Sequence, residues 1–343
     1  MKIQARRKLY HWLMWLILTL FLLYATSMLV INNSGKLLVG FIEEQAVPYV
    51  LKTDDVAMGC VMAEALSLSI PSLAQINASP YKLAVIFEFL SGSCAEFKAR
   101  EEELRYIRAL HAKNVTEAQD ARILQKRYLN LAAQRQLKGY LNLELAYPEM
   151  PGNACPQFSS WNDEFYWLVG LMDGLLAVLN DLASEGIANV PLDISLKVGR
   201  GAGCLDNTQW WGMPSAIQSA IWVSFPGNKP AGVDPLIVLD EAMQTGVQQG
   251  MLIVQVIAAK IYIGLGDAAR VKAIIRENVA TKSSLPANPN FLFLDKVATL
   301  QLQAISDYMW TEATGKRTPI GGLGTFWDDP VNKTDTVDIF DIL

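Results

Sequence analysis

The chain has 343 residues, 51% hydrophobic and 18% charged, with a formal net charge of −5. That composition excludes a disordered chain, and the length suffices for one large core or two moderate ones. Four cations, Lys2, Arg6, Arg7 and Lys8, sit in the first eleven residues. The remainder is more acidic than the whole, which argues against a nucleic-acid partner, since that needs a basic footprint.

Residues 12 to 31, WLMWLILTLFLLYATSMLVI, carry no formal charge. A helix over them rises roughly 30 Å, enough to cross a hydrocarbon core, with Trp12 and Trp15 at headgroup level on the basic side. The expectation is a single-pass anchor in a bacterial inner membrane. Residues 1–11 then form a cytoplasmic basic flank and the body beyond the anchor is periplasmic. A cleaved signal peptide competes, because Ala25-Thr26-Ser27 ends in small residues. Retention is preferred because the apolar run continues through Met28 to Ile31.

A helical body is expected over residues 36–314, followed by an acidic, Gly-rich tail over 315–343. The segment from Lys36 alternates apolar clusters with Glu43, Glu44, Asp54 and Asp55, punctuated by Pro48. Ser79-Pro80 places a capping hydroxyl before a first-turn proline and predicts a long helix loosened at Gly92. Thr116-x-x-Gln119 predicts a capping box for its antiparallel partner. In that partner Ala121, Leu124, Tyr128 and Leu131 recur at helical spacing, with Lys126, Arg127 and Arg135 on the polar face.

A loop with Pro148, Pro151, Gly152 and Pro156 ends the pair. NDEFYWLVGLMDGLLAVLNDLA then predicts a buried helix opened by Asn162, whose uncharged stretch Phe165 to Met172 is too short to cross lipid. DISLKVG is compatible with a short strand or a helical turn, and Gly199, Gly201 and Gly203 predict a loop. Asp234-Pro235 caps a further helix. Met251 to Leu265 predicts a mostly buried helix, Asp267 caps the next, and FLFLDKVATLQLQAISDYMWTEAT predicts the last. The fold class expected is all-α: helical hairpins forming a tetratricopeptide-like bundle or short solenoid, behind an N-terminal transmembrane helix.

No catalytic, cofactor or metal site is expected. Cys60, Cys94, Cys155 and Cys204 form no CxxC unit, and His11 and His111 stand alone, so no zinc spacing is present. The four thiols allow up to two disulfides, in three full pairings. VGRGAG lacks the Lys-Ser/Thr ending of a phosphate loop, and Glu101, Glu102 and Glu103 fan around a helix instead of converging. Asp173 interrupts an apolar run and reads as a capped or pore-facing acid. An acid-assisted hydrolase using Asp173 or Glu164 is the weaker enzymatic alternative. Tyr166, Trp167, Trp210, Trp211 and Trp222 are either core or the lining of a ligand or partner surface.

Several segments resemble the TRAP-transporter-associated T-component family. They are SGKLLVGFIEEQAVPYVLKTDD after the anchor, IFEFLSGSCAEFKAREEELRYI, and ARILQKRYLNLAAQRQLKGYLNLEL with Tyr128 and Gly139. NDEFYWLVGLMDGLLAVLND, with Asp163, Tyr166 and Trp167, and GVDPLIVLDEAM follow in the same order. The resemblance covers roughly residues 36 to 314. It implies cryptic tetratricopeptide-like repeats and a membrane-tethered accessory role in solute uptake. The implied partner is a periplasmic solute-binding protein, the implied assembly a homo-trimer, and the implied ligand apolar or an organic acid. The chain departs from the pattern in lacking the lipid-bearing cysteine, in carrying GCLDNTQWWGMPSAIQ without a histidine, and in its tail. A structural subunit or scaffold of a membrane complex is the alternative.

Overall fold

The computed structural model describes residues 2–76, 78–148 and 154–330. Pro151 and Gly152 of the expected loop, and the tail from residue 331, lie outside the described residues. Helix α1, Lys2–Phe41, passes through a π turn at Ile42–Ala46 into α2, Val47–Leu51. Then come α3, Val56–Leu66, α4, Ser69–Ser72, and a 3-10 turn at Leu73–Ile76. The body is built from α5, Tyr81–His111, α6, Val115–Ala146, α7, Trp161–Ala183, α8, Asp193–Ala202, and α9, Met213–Ser224. It is completed by α10, Pro235–Gln248, α11, Ile253–Gly264, α12, Ala268–Ser284, and α13, Leu292–Thr314. No strand occurs among the described residues, so the molecule is an all-α multi-helix bundle.

Three of the described helical segments are long and apolar enough to cross a membrane: Tyr10–Leu51, Val56–Ile76 and Trp161–Ala183. This corrects the expectation of a single N-terminal span. The uncharged stretch Phe165 to Met172 is short, but the apolar character of α7 continues past Asp173 over a window long enough to cross a membrane. The three differ in surroundings: the most apolar window is 0% buried in the first, 28% in the second and 78% in the third. Helical structure also runs without a break across residues 31–36, where the sequence suggests a seam between anchor and body.

Local capping explains most helix starts and corrects three of the expected ones. Asn114, not Thr116, caps α6, its Oδ1 accepting from the Glu117 amide at 3.2 Å. Lys113, at φ 57°, turns the chain there, so Thr116 falls inside the first turn. Ser160, not Asn162, caps α7 by accepting from the Asp163 amide, and α5 begins one residue after Pro80 with no side-chain cap. Asp234 and Asp267 cap α10 and α12 as expected, accepting from Leu236 and Arg270 amides at 2.9 Å each.

The glycines behave differently from the expectation. Gly92 leaves α5 unbroken, and Gly199 and Gly201 lie inside α8 with Gly203 as its C-cap. The predicted loop is therefore helix. One reason is that the Gly201 carbonyl accepts from Trp167 Nε1 at 3.0 Å, tying α8 to α7.

Helices α5 and α6 form the antiparallel hairpin with the most extensive packing in the chain, and α7 lies against α6. Gly139 makes that second contact close. A Cβ there would stand 2.0 Å from Asp173 Oδ2, so only glycine fits. Two disulfides are formed: Cys60–Cys94 ties α3 to α5, and Cys155–Cys204 ties the segment before α7 to the end of α8.

Candidate functional site

An apolar cavity of about 140 Å³ begins where the exposed helix α1 ends. The π turn and α2 supply Ile42, Ala46 and Val47, α5 supplies Phe89 and Leu90, α7 Phe165 and Val169, and α13 Phe293 and Leu294. A second pocket of about 90 Å³ shares the six residues from α5, α7 and α13 and extends to Trp211, Ile253 and the Cys60–Cys94 disulfide. No charged side chain lines either one. An apolar void of roughly 150 Å³ stays dry and admits a benzene-sized guest. The larger pocket is on that scale and suits a group about as wide as a hydrocarbon chain.

Helix α3 closes the cavity on one side. Gly59 permits its approach, since a Cβ there would lie 2.6 Å from Phe293 Cε2, and the neighbouring Cys60 is bonded to Cys94 of α5. The wall is therefore a covalently held helix resting on a phenylalanine ring. Tyr166 of α7 ties the π turn to the body, its hydroxyl donating to the Glu43 carbonyl at 3.4 Å.

The aromatic residues singled out in the sequence separate into three groups. Trp167 and Trp210 are completely enclosed. The Trp210 ring stacks on Trp161 at 4.8 Å and on Phe165 at 6.1 Å, and its Nε1 donates to Glu164 Oε2 at 2.6 Å. Trp211, at φ 57°, meets Phe291 edge to face at 4.7 Å and lines the smaller pocket. Tyr166 is buried in the core against Phe165, as enclosed as the first pair, whereas Trp222 is half-buried on α9 and lines neither pocket. Of the candidate residues only Trp211 therefore lines either of these two pockets.

Asp173 is completely buried, and neither carboxylate oxygen has a hydrogen-bond partner. It faces Gly139 of α6, with Glu88 and Glu96 of α5 nearby. Burial pushes the Glu88 carboxyl up, against the opposing charges of Lys138 and Arg135. Glu164 spends one oxygen on Trp210 and on Gln209 Nε2, the latter at 2.8 Å. Nine residues of helix place Asp173 and Glu164 roughly 13 Å apart along α7, so the two acids do not form a pair around one reacting atom.

The cavity residues themselves were not singled out in the sequence. Phe89, Leu90, Phe165, Val169, Phe293 and Leu294 belong to three helices separated by long stretches of chain. Each reads as an ordinary core position, and no local signal distinguishes a residue that faces a void from one that faces a neighbour. No family model, curated protein or solved structure matches the chain.

Proposed function

We propose that the chain is a membrane-associated helical accessory protein of solute uptake, which holds an apolar ligand and docks the solute-binding component of a TRAP-type system. The apolar cavity at the foot of α1 carries the ligand part of this reading. Its wall starts with Ile42, Ala46 and Val47, which continue directly from an exposed apolar helix, so a hydrocarbon chain entering it leaves one apolar surface for another. The two disulfides fit a body held in an oxidising surrounding. The docking part, the tetratricopeptide-like description and a homo-trimeric assembly rest on the segments that resemble the T-component family. The antiparallel pairs α5–α6 and α11–α12 are compatible with that resemblance.

The test uses the full chain in detergent micelles with a fluorescent long-chain fatty acid as probe. Ala46→Phe places a ring in the cavity from its half-buried rim. Each methylene kept from burial costs about 0.8 kcal/mol, so displacing two weakens the probe about tenfold. Unchanged affinity in a folded Ala46→Phe chain removes the cavity from the reading. Cross-linking in native membranes then decides the partner. Recovery of a solute-binding protein supports the docking role, and recovery of only a membrane subunit favours the scaffold reading.

A further inference from the structure

A second compartment, of about 390 Å³, opens between α5, α6, α7, α11 and α13 and shares no lining residue with the apolar pockets. Its charged lining comprises three cations, Arg100, Arg122 and Lys260, and two carboxylates, Glu96 and Glu103. The two signs differ in how far their hydrogen-bonding capacity is used.

Glu103 has both carboxylate oxygens hydrogen-bonded and Glu96 has one. Glu96 is buried, and its Oε1 accepts from Gln136 Nε2 at 2.6 Å and from Asn180 Nδ2 at 2.7 Å. Glu103 accepts from Arg100 through one oxygen at 2.8 Å and from Gln125 through the other at 3.0 Å. The cations keep donors in reserve. Lys260 Nζ stands 3.9 Å from Glu96 Oε2, an ion-pair contact too long for a hydrogen bond, and no side-chain hydrogen bond satisfies its three N–H groups. Arg100 spends one nitrogen on Glu103 and has four further N–H donors in its fork. Burial pushes the Lys260 ammonium down, Glu96 opposes that shift, and the positive charge of Arg100 adds to it. A protonated Lys260 beside Arg100 therefore faces only the distant Glu96 Oε2, with no acceptor within hydrogen-bond reach.

Gln125, Asn180, Gln301 and Tyr308 add neutral polar groups, and Leu176 and Leu179 of α7 with Ile305 of α13 form an aliphatic wall on the same space. Donors in excess of acceptors, one net positive charge and an aliphatic wall together specify an anion with a hydrocarbon body. We infer that this compartment binds a small organic carboxylate, its head between Lys260 and Arg100 and its carbon skeleton against Leu176, Leu179 and Ile305. A carboxylate accepts from a guanidinium edge and an ammonium together, and displaces water from the aliphatic side at the same time. The site is independent of the apolar cavity, on different residues, and stands whether or not that cavity holds a ligand.

The experiment is equilibrium dialysis of radiolabelled hexanoate against the full chain in detergent, with circular dichroism to verify the fold of each variant. Saturable binding is expected. Lys260→Met removes the charge at nearly constant volume, and Ala304→Phe fills the compartment from a half-buried lining position. Each is expected to weaken hexanoate at least about tenfold, the scale of one charge-assisted hydrogen bond. Ala46→Phe, which fills the apolar cavity, is expected to leave hexanoate unaffected.

On the unaltered chain, neither hexanol nor inorganic phosphate at equal concentration is expected to displace hexanoate. The inference is overturned if the unaltered chain shows no saturable binding, or if folded Lys260→Met and Ala304→Phe chains bind as before. It is also overturned if Ala46→Phe abolishes binding, which would place the probe in the apolar cavity. Displacement by hexanol would show a site that ignores charge, and displacement by phosphate one that ignores the carbon skeleton. Those two competitions need no variant to fold.

Discussion

The two compartments are built from the same three helices read at different heights. Near the foot of α1, α5 contributes Phe89 and Leu90, α7 Phe165 and Val169, and α13 Phe293 and Leu294. About two to four turns further along, α5 contributes Glu96, Arg100 and Glu103, α7 Asn180, and α13 Gln301 and Tyr308. Chain numbers rise in the same direction on all three, so α5, α7 and α13 run parallel through both spaces. An apolar site and a charged one thus need no separate domains; a change of residue type every few turns along three shared helices is enough. Because the helices are shared, a perturbation at one height reaches the other only through rigid displacement of a helix, and local changes should stay local.

Four variants sharpen or break that separation, beginning with the strongest. Trp210→Ala removes a fully enclosed ring stacked on Phe165, and loss of a buried tryptophan costs about 5 kcal/mol at the upper end of the usual range. Denaturant unfolding should show this loss, with fatty-acid binding abolished first as denaturant is added. Simultaneous loss of both ligands would mean that the two heights unfold as one.

Next in size, Cys60→Ser with Cys94→Ser releases α3 from α5 across a sequence separation of 34 residues. Loop-closure entropy predicts a loss of about 4 kcal/mol. Fatty-acid binding should fall while hexanoate binding holds, and dialysis of both probes against the same preparation checks this. Gly139→Val forces a side chain into the space of Asp173 Oδ2 and should cost about 3 kcal/mol by overpacking. Since it pushes α6 from α7 as whole helices, it is the change expected to weaken both probes. Asn114→Ala, at the turn of the α5–α6 hairpin, removes one capping acceptor and should cost about 1 kcal/mol. A shift in thermal midpoint with both affinities intact would confirm that the hairpin turn serves the fold alone.

Much of the helical layout can be read from local chemistry. Asp234 and Asp267 sit where a short acceptor can reach the amides of a first turn, and the hairpins follow from short turns between amphipathic runs. Glu101, Glu102 and Glu103 do fan around α5, as consecutive helical residues must: Glu101 pairs outward with Arg317, Glu102 with Arg105, and Glu103 turns to Arg100.

Features decided by a distant partner escape such a reading. The glycines of α8 suggest a loop until Trp167 is seen donating to Gly201, and Gly139 is unremarkable until Asp173 fills the place of its side chain. The same applies to the number of candidate spans, since α7 reads as a core helix by its charge-free stretch and as a span by its whole length. Both compartments depend on residues scattered from α5 to α13. Lys260 in particular is one cation in an apolar helix, and only the convergence of Glu96 and Arg100 gives it a role.

The π turn at Ile42–Ala46 also has an angular consequence. Val39 and Val47 are both buried, whereas Leu37, Leu38, Phe41 and Tyr49 are exposed. In a regular α-helix residues eight apart are out of phase by roughly 80°, which would swing Val47 away from the body. A π turn absorbs one extra residue, so the pair behaves as if seven apart and falls within about 20° of alignment. The segment is in effect a phase shifter on a single shaft. Removing one residue from it would keep both ends facing nearly as they do. Straightening it without a deletion would instead turn Val47 and Leu51 outward and take away the first wall of the apolar cavity.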